Sequence, residues 1–261
     1  MIDLHTHILP GMDDGSKTVR ESIQLLRMER QQGVNLVVLT PHYYSSQNSP
    51  EAFLRRRQRS WQALSGALEE GMPRLLLGAE VQYFESIGNL DNIQDLCIGG
   101  TRLLLLEMPF RRWDERTIQT VLSLNGTDGI QIVLAHVERY LPYPGNPAAL
   151  DLLRRNGILS QMNVSCFDGW LRRRKASAMV REGKVHLFGS DCHNLSGRKP
   201  NWDLVPEGLW QSMDSNSKAL LRQYLIRKKR CAGFPRKAVV YWNCRMDFRY
   251  PKSKCKVRKR K

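Results

Sequence analysis

Long apolar runs are missing from this chain of 261 residues. No stretch approaches the roughly 18 consecutive apolar residues that suggest a membrane-spanning helix. The opening residues, Met1-Ile2-Asp3-Leu4-His5, also lack the basic flank and the apolar core of a secretory signal peptide. We therefore expect a cytoplasmic protein without a membrane span.

Cysteine occurs at only six positions, and no two of them form a Cys-x-x-Cys motif. Their wide spacing gives no compact disulfide framework, which argues against a small secreted fold held together by crosslinks. With 41% hydrophobic residues, the chain can bury a core without such crosslinks. The cysteine content suits a reducing compartment.

Acidic residues are scarce only in the last part of the chain. The whole sequence carries 41 basic and 25 acidic residues, a formal net charge of +16. Residues 211–261 hold 17 of the basic residues and two acidic ones, whereas residues 1–210 hold 24 and 23. This change predicts a domain of residues 1–210 and an atypical basic tail of residues 211–261, which we expect to be aberrant or poorly ordered.

The basic tail raises the alternative of a nucleic-acid-binding protein. Lysine and arginine side chains neutralise phosphates, and aromatic rings between them can stack on bases. Because the charge is confined to the tail, non-specific adhesion explains it better, and specific nucleic-acid binding is not expected. The aromatic residues concerned are Tyr241, Trp242, Phe248 and Tyr250.

Seven short apolar runs alternate with helical patterns along the first 210 residues. Continuous apolar runs are typical of strands covered on both faces, and alternation of strand and helix is typical of a parallel sheet. We therefore predict an α/β fold with functional residues at the carboxyl ends of its strands. The predicted strands are residues 2–4, 36–40, 75–78, 103–106, 130–135, 158–163 and 185–188, and the predicted helices are residues 16–32, 52–70, 115–124, 147–155 and 170–182.

Five of the six histidines follow these apolar runs. His5 and His7 occupy alternate positions directly after the first strand, so both imidazoles can reach one ion. Asp191 and His193 repeat this spacing after the last strand. Imidazoles and carboxylates that converge at one end of a sheet are ligands for divalent metals, and the pattern predicts a metal-dependent hydrolase. The other two histidines at strand ends are His42 and His136.

Carboxylates supply further candidate ligands. Glu80 and Glu107 each end an apolar run, where a buried charge is costly unless it is paired or bound to a metal. Asp13 and Asp14 lie in the loop before the first helix, where we expect one to serve as a helix cap and the other as a ligand. His186 lies inside a predicted strand and is interpreted as a hydrogen-bonded core residue.

Two arginines indicate the substrate class. Arg139 lies three residues after His136, and Arg198 lies five residues after His193. A guanidinium beside a metal cluster can bind two phosphate oxygens at once. The pattern therefore predicts hydrolysis of a phosphate ester.

A thiol-based phosphatase is a competing interpretation. The pairs Cys166/Arg172 and Cys192/Arg198 both have the Cys-x5-Arg spacing that in cysteine phosphatases brings a thiolate and an arginine to one phosphate. Neither loop is rich in glycine, and Cys192 is explained as the spacer between two candidate ligands. The metal-dependent mechanism is therefore favoured.

Taken in order along about 200 residues, these motifs resemble the PHP (polymerase and histidinol phosphatase) superfamily. More closely, they resemble bacterial manganese-dependent protein-tyrosine phosphatases of the CpsB/CapC type, which are linked to capsule and exopolysaccharide synthesis. The phrases that carry the resemblance are Asp3-Leu-His-Thr-His7, Asp13-Asp-Gly15, Thr40-Pro-His42, Gly78-Ala-Glu80, Leu106-Glu107, Ala135-His-Val-Glu-Arg-Tyr140 and Ser190-Asp-Cys-His-Asn194.

The resemblance implies a distorted (β/α)7 barrel of the PHP type that holds two or three metal ions. It implies Mn²⁺ as the metal, while the ligand types also admit Mg²⁺, Fe²⁺ or Zn²⁺. It also implies that Arg139 and Arg198 contact the phosphate, and we keep Asp14 as a candidate proton donor. By the same resemblance, the first ion is held by His5, His7, Glu80 and Asp191, the second by Glu80, Glu107 and His136, and the third by Asp14, His42 and His193.

The implied reaction is hydrolysis of protein phosphotyrosine by a metal-activated water, and a tyrosine kinase of polysaccharide export is an implied substrate. A small-molecule phosphatase acting on a compound such as histidinol phosphate stays open as an alternative. Two departures from the family pattern are visible. Val137 stands where the family usually has proline, and the family's C-terminal features are missing after about residue 210. A poorly folding protein is therefore a third alternative.

Overall fold

The computed structural model describes residues 1–224, which lie in one compact unit, Met1–Ile226. The part of the expected tail from residue 225 onward lies outside the described residues. The described part contains six α-helices and nine β-strands. The strands are β1 Ile2–Thr6, β2 Leu36–Leu39, β3 His42–Tyr43, β4 Arg74–Leu77, β5 Glu80–Gln82, β6 Leu103–Glu107, β7 Gln131–Leu134, β8 Leu159–Asn163 and β9 Leu187–Gly189; the helices are α1 Val19–Gln31, α2 Pro50–Ser65, α3 Glu115–Leu124, α4 Asn146–Arg155, α5 Trp170–Arg181 and α6 Glu207–Gln223.

Short polar residues fix where several helices begin. Thr18 precedes α1, and its side chain accepts a hydrogen bond from Glu21 N. Ser49 and Asp114 do the same at the starts of α2 and α3. These caps satisfy backbone N–H groups that have no partner in the first helical turn. Since Thr18 caps α1, the expectation that an aspartate in the preceding loop caps this helix was wrong.

Every pair of neighbouring strands in the described residues is parallel, and the strands form two sheets that curl into a half-barrel. The first sheet has the order β1-β2-β4, and the second has the order β3-β5-β6-β7-β8-β9. A bridge between Thr6 and Cys192 brings β1 beside the segment that follows β9. The first strand and the segment after the last strand therefore meet, and the first and last groups of candidate ligands meet with them.

All seven predicted strands are present, and the α/β class is confirmed. The structure adds two short strands, β3 and β5, each of which follows an interruption after a predicted strand. Thr40-Pro41 separates β2 from β3, and Gly78-Ala79 separates β4 from β5. Strands of two and three residues are too short to give a periodic pattern.

Helix α6 crosses the boundary that the change in charge placed at residue 210. It carries the buried residues Met213, Ser217 and Leu221, spaced four residues apart on one face. Leu221 packs in a core cluster that also contains Ile2 and Leu36. The ordered domain therefore continues to residue 224 at least, because basic residues on the exposed face of a helix do not prevent its apolar face from packing. No helix among residues 1–224 is long and apolar enough to cross a membrane.

Candidate metal centre

The candidate ligands lie at the carboxyl ends of the strands or just beyond them. β1 carries His5 and leads to His7, β6 ends on Glu107, and β7 leads to His136. Glu80 and His42 begin the short strands β5 and β3 and pair with each other in register. The two strands that sequence patterns miss therefore bring two candidate ligands side by side.

His5, His7, Glu80 and Asp191 surround one point. The Nε2 atoms of His5 and His7 are 3.2 Å apart. Glu80 Oε2 lies 3.1 Å from His5 Nε2 and 3.2 Å from His7 Nε2. Asp191 Oδ1 lies 3.6 Å and 3.5 Å from the same two nitrogens. All four side chains are buried, so the groups face one another and not water.

Hydrogen bonds on the far side of each ring determine which nitrogen faces this point. Gln161 Oε1 accepts from His136 N at 2.7 Å, so it must also accept from His5 Nδ1, which lies 3.1 Å away. His7 Nδ1 donates to Asp13 Oδ2 at 2.8 Å. In their neutral forms, both histidines therefore direct a lone pair on Nε2 at the same point. Two facing lone pairs beside two carboxylates are compatible only with a cation between them, either protons or a metal ion.

A second group forms around both oxygens of Glu80. His136 Nε2 lies 2.9 Å from Glu80 Oε1 and 3.3 Å from Glu107 Oε1. His42 Nδ1 lies 3.1 Å from Glu80 Oε2. Ligand atoms of His42, Glu80 and Glu107 all lie within 4.8 Å of one another. Since its two oxygens face different histidines, Glu80 is arranged as a bridging carboxylate.

A third group consists of His7, Asp14, His42 and His193, whose ligand atoms also lie within 4.8 Å of one another. His193 Nδ1 contacts the backbone oxygen of Asp191 at 2.9 Å, and its Nε2 is buried without a hydrogen-bond partner in the described residues. Asp14 Oδ1 is 3.4 Å from His193 Nε2, and this aspartate side chain is 65% exposed. A buried imidazole nitrogen without a partner, beside a solvent-accessible carboxylate, fits a metal that is open to substrate on one side.

The charges at the centre shift several pKa values strongly. Burial by itself lowers the pKa of His136, but the hydrogen bonds that its imidazole donates to Glu107 and Glu80 outweigh it and raise the pKa to about 9. Burial also opposes protonation of His7, yet Asp13 and Glu80 raise its pKa well above the usual value. Burial raises the pKa of the Asp191 carboxyl, but the charges of His5 and His7 lower it overall. Without a metal, protons therefore occupy the positions that a cation would take.

His193 behaves in the opposite way. Burial and the positive charge of His7 lower the pKa of His193 to about 4. Its imidazole is therefore neutral near pH 7 and is ready to bind a metal without releasing a proton.

Both arginines predicted from the sequence point at the cluster. Arg139 Nη2 lies 2.7 Å from Asp191 Oδ2, and Arg198 Nη2 lies 2.8 Å from the same oxygen. Arg198 Nη1 also approaches Asp14 Oδ2 at 3.7 Å. Each arginine side chain is 38% exposed, so both can contact a ligand that arrives from solvent. Two guanidiniums directed at one carboxylate beside a metal cluster form a site for an anion with several oxygens.

Two candidate ligands have left-handed backbone conformations. His136 has a φ of 32° and Asp191 a φ of 53°, a region that side chains other than glycine rarely adopt. Such strain persists only where the surrounding structure enforces it, and it is concentrated at functional sites. At both positions the chain turns sharply after the strand, which directs the side chain back toward the cluster.

Sequence patterns missed the residues that hold the ligands in place. Gln161, inside β8, contacts His5 and His136 as described above and donates to Asn163 Oδ1 at 2.9 Å. Asn163 Nδ2 in turn donates to Asp191 Oδ2 at 2.8 Å. The signal was present in the sequence, because three of the five residues of β8 are polar, and buried polar groups need partners.

Asp13 and His186 also have defined structural roles. Asp13 accepts hydrogen bonds from the backbone N–H groups of Gly15 and His42 in addition to that from His7. It therefore orients the imidazole of His7 and does not cap a helix. His186 Nδ1 accepts from Ser160 N at 3.0 Å, so this histidine is hydrogen-bonded as expected, but it is only partly buried and lies just before β9.

The two cysteines of the thiol alternative are poorly suited to act as nucleophiles. Burial and the nearby Glu29 raise the pKa of Cys192 well above its usual value, and its thiol faces Glu29 Oε1 at 3.7 Å. Burial and Glu138 raise the pKa of Cys166 as well. A reactive thiolate requires the opposite environment, electropositive and partly exposed. The geometry therefore favours the metal-dependent alternative.

The structure brings together all nine predicted metal ligands and both predicted arginines. Asp14 is the most exposed of the candidate ligands, at 65%, and the other eight are buried or nearly so. His7 and His42 each touch two of the three groups, so the groups share these ligands in addition to Glu80, the one ligand that the predicted sets had in common.

Comparisons with known proteins identify the family. Tyrosine-protein phosphatase YwqE of Bacillus subtilis is 32% identical over 205 residues, which cover 76% of this chain and 79% of that protein. Tyrosine-protein phosphatase CpsB of Streptococcus agalactiae is 30% identical over 213 residues, which cover 77% and 86% of the two chains.

The fold agrees with these relatives. A chain from the crystal structures of YwqE from B. subtilis and CpsB from Streptococcus pneumoniae, described as unique metal-dependent tyrosine phosphatases, matches with a TM-score of 0.72. It is 24% identical, and the match covers 87% of this chain and 97% of that one. The family described as "Capsular polysaccharide synthesis, CpsB/CapC" matches residues 1–221. The chain belongs to the CpsB/CapC family.

Proposed function

We propose that this protein is a metal-dependent phosphomonoesterase that hydrolyses phosphotyrosine in proteins. One observation carries the proposal: the Nε2 atoms of His5 and His7, 3.2 Å apart, face one oxygen of Asp191, and two arginines converge on the other oxygen of the same carboxylate. Metal ligands and phosphate-binding guanidiniums are thereby joined in one site. Two relatives are tyrosine-protein phosphatases, which supports the same reaction.

The nine candidate ligands are proposed to hold two or three ions, with Mn²⁺ as the favoured metal. Nitrogen and oxygen ligands without thiolates suit Mn²⁺, and they also suit Mg²⁺, Fe²⁺ or Zn²⁺. In this assignment His5, His7, Glu80 and Asp191 hold the first ion, Glu80, Glu107 and His136 the second, and Asp14, His42 and His193 the third.

The reaction transfers the phosphoryl group to water. Divalent ions held by the histidine and carboxylate ligands would supply positive charge for the phosphoryl oxygens and would lower the pKa of the attacking water. Arg139 and Arg198 bind the non-bridging oxygens and orient phosphorus for in-line attack. A bond forms between the water oxygen and phosphorus while the bond from phosphorus to the phenolic oxygen breaks.

The proton balance of the leaving group favours a tyrosine ester. The phenol of tyrosine has a pKa of about 10, so its oxygen can leave with little help from an acid. Asp14, at 65% exposure beside His193, is the residue proposed to move a proton at the mouth of the site. A serine ester has a far more basic leaving oxygen and would need a stronger proton donor.

The proposed biological setting is control of capsule or exopolysaccharide synthesis in the cytoplasm. The proposed substrate is a phosphotyrosine protein, with a bacterial tyrosine kinase of polysaccharide export as one candidate. The family description, capsular polysaccharide synthesis, supports this setting.

The proposed architecture is a distorted seven-stranded barrel. If β2 with β3 and β4 with β5 are each counted as one interrupted strand, the described strands become seven. We also propose that the catalytic domain includes the whole of α6 and that the basic segment after it is not needed for catalysis.

A comparison of substrates tests the proposed function. Initial rates are measured with a phosphotyrosine peptide and with histidinol phosphate, using protein saturated with Mn²⁺. A clearly higher kcat/KM for the peptide is expected. A preference for histidinol phosphate would make the protein a small-molecule phosphatase and overturn the substrate assignment.

A further inference from the structure

Two aromatic rings lie directly against candidate metal ligands and have no part in the mechanism given above. The ring of Phe110 stacks on the imidazole of His136, with centroids 5.6 Å apart and an interplanar angle of 23°. The ring of Tyr44 stacks on His42, with centroids 5.0 Å apart and an angle of 22°. His136 and His42 in turn contact the two different oxygens of Glu80. Each aromatic ring therefore packs against a histidine that contacts Glu80.

Phe110 is held at the rim of the site by a fixed loop. It follows β6 three residues after Glu107, and its ring also contacts Tyr140, with centroids 5.6 Å apart. Tyr140 accepts a hydrogen bond from Met108 N at 2.8 Å, which fixes it beneath the loop. Phe110 nevertheless remains 46% exposed. A large apolar side chain that is half-exposed beside a charged cluster offers a free aromatic surface to a ligand.

Tyr44 occupies a comparable position after β3. Its side chain is partly buried, and its hydroxyl lies in the field of Glu107, Glu80 and Asp14. A tyrosine phenol has an ordinary pKa of about 10, so this ring is uncharged at neutral pH. An uncharged ring can pack against a substrate without repelling its phosphate.

We propose that Phe110 and Tyr44 form an aryl subsite that binds the aromatic ring of a phosphate ester. The inference rests on the proposed function and deepens it by naming residues that select aryl over alkyl esters. In an aryl phosphate a single oxygen atom separates phosphorus from the ring. When Arg139 and Arg198 bind the phosphate, the ring must therefore lie immediately beside the metal cluster, where these two side chains are found.

The expected size of the effect follows from the energetics of aromatic pairs. Rings whose centroids lie 4.5–7 Å apart gain interaction energy beyond that of simple burial, which corresponds to about a 2- to 10-fold preference per ring. An alkyl ester cannot make this contact. Removal of either ring should therefore lower the rate for aryl esters selectively.

The test compares two peptides of identical sequence, one with phosphotyrosine and one with phosphoserine, as substrates for full-length protein saturated with Mn²⁺. Phe110→Leu and Tyr44→Leu each remove one ring, whereas Phe110→Tyr keeps an aromatic ring at position 110. Leu152→Ala is the matched control, because Leu152 is 43% exposed on α4. Binding of phenylphosphonate and methylphosphonate, measured by calorimetry, provides a readout independent of turnover.

Phe110→Leu and Tyr44→Leu are each expected to lower kcat/KM for the phosphotyrosine peptide by about 2- to 10-fold relative to the phosphoserine peptide. Both leucine variants should weaken the binding of phenylphosphonate but not that of methylphosphonate. Phe110→Tyr should keep the wild-type preference for the phosphotyrosine peptide, and Leu152→Ala should change neither kcat/KM nor binding. Equal losses for both peptides and both phosphonates would overturn the aryl subsite, because the rings would then only support the histidines. A wild-type protein that hydrolyses neither peptide would instead refute the proposed function.

Discussion

Hydrogen bonds to other side chains fix the orientation of the histidine ligands in this protein. His5 and His7 each use Nδ1 for a neighbouring acceptor, which leaves Nε2 for the centre. The HxH spacing predicted that both imidazoles reach one point, because alternate residues of an extended segment lie on one side. The spacing could not predict Gln161, since its contact with His5 joins residues 156 positions apart.

Arg139 and Arg198 give the first residue-scale prediction. Lysine keeps the charge but cannot bind two phosphate oxygens through a planar fork. Arg139→Lys and Arg198→Lys are each expected to lower kcat for phosphotyrosine hydrolysis by about 10- to 100-fold, somewhat less than complete loss of an oxyanion donor. Bound metal, measured by atomic emission, should stay unchanged.

Arg174→Lys serves as the control for these arginines. Arg174 lies on the exposed part of α5, over the ring of Trp170. Its substitution is expected to leave kcat unchanged. If the lysine variants at positions 139 and 198 retained full activity, neither guanidinium would act on the phosphate.

His136 gives a prediction about pH in the metal-free protein. Its pKa is raised to about 9 in the folded state, above the usual 6.5. A raised pKa contributes stability that is complete below pH 6.5 and is lost as the pH rises through 9. The advantage of the wild type over His136→Gln in free energy of unfolding should therefore shrink by on the order of 2 kcal/mol between pH 6.5 and 9.5.

Urea unfolding in the presence of a chelator measures this difference. His186→Gln is the control, because burial lowers the pKa of His186 below 6.5. Below pH 6.5, His186 is protonated more readily in the unfolded state than in the folded state, and this destabilises the fold. Between pH 6.5 and 9.5 the difference in free energy of unfolding between the wild type and His186→Gln should therefore stay constant. If the difference in free energy of unfolding between the wild type and His136→Gln also stayed constant with pH, the assigned contacts of His136 with Glu107 and Glu80 would be contradicted.

At the scale of elements, long strands and helices could be predicted from the sequence and short ones could not. β6 and α3 follow from an apolar block and an amphipathic pattern. β3 and β5 depend on pairing with each other, a tertiary contact that no local pattern reveals. Part of the candidate centre was therefore predictable as strand-end ligands, while the register that aligns His42 with Glu80 was not.

The close packing of β9 against β1 gives an element-scale prediction. A Cβ atom added at Gly189 would lie 2.6 Å from His5 Cβ and 2.9 Å from Gln161 Nε2. Gly189→Ala is therefore expected to destabilise the fold by about 1–3 kcal/mol. Displacement of His5 should also weaken metal binding by roughly 10-fold or more.

Denaturant unfolding and metal titration check both effects. Gly197→Ala is the matched control in the following loop, where an added Cβ meets no described atom within 4 Å. That variant should keep wild-type stability and metal affinity. Normal metal affinity in Gly189→Ala would mean that the β1–β9 contact does not position His5.

Helix α6 provides a second prediction at this scale. Charge composition suggested a boundary at residue 210, but the helix buries Leu221 against strands β1 and β2. Leu221→Ala is expected to lower the free energy of unfolding by about 2–5 kcal/mol. Asn216→Ala, on the exposed face of the same helix, should leave stability nearly unchanged. If the two variants were equally stable, α6 would not contribute to the folded domain, and the domain would end at residue 210 as the charge predicted.

At the scale of the whole molecule, the net positive charge and the candidate ligands lie in different parts of the sequence. Residues 1–210 are almost neutral and contain every candidate ligand, while residues 211–261 carry nearly all the net positive charge. The curled parallel sheet brings side chains from residue 5 to residue 198 into one centre. That convergence, and not the overall charge, indicates what the protein does.

The most direct measurement is phosphotyrosine hydrolysis by full-length protein treated either with a chelator or with a thiol-alkylating reagent. Chelation should abolish activity, Mn²⁺ should restore it, and alkylation of accessible thiols should leave it intact, because Cys192 is buried and its thiol pKa is raised. Loss of activity on alkylation, together with full activity after chelation, would contradict the metal centre.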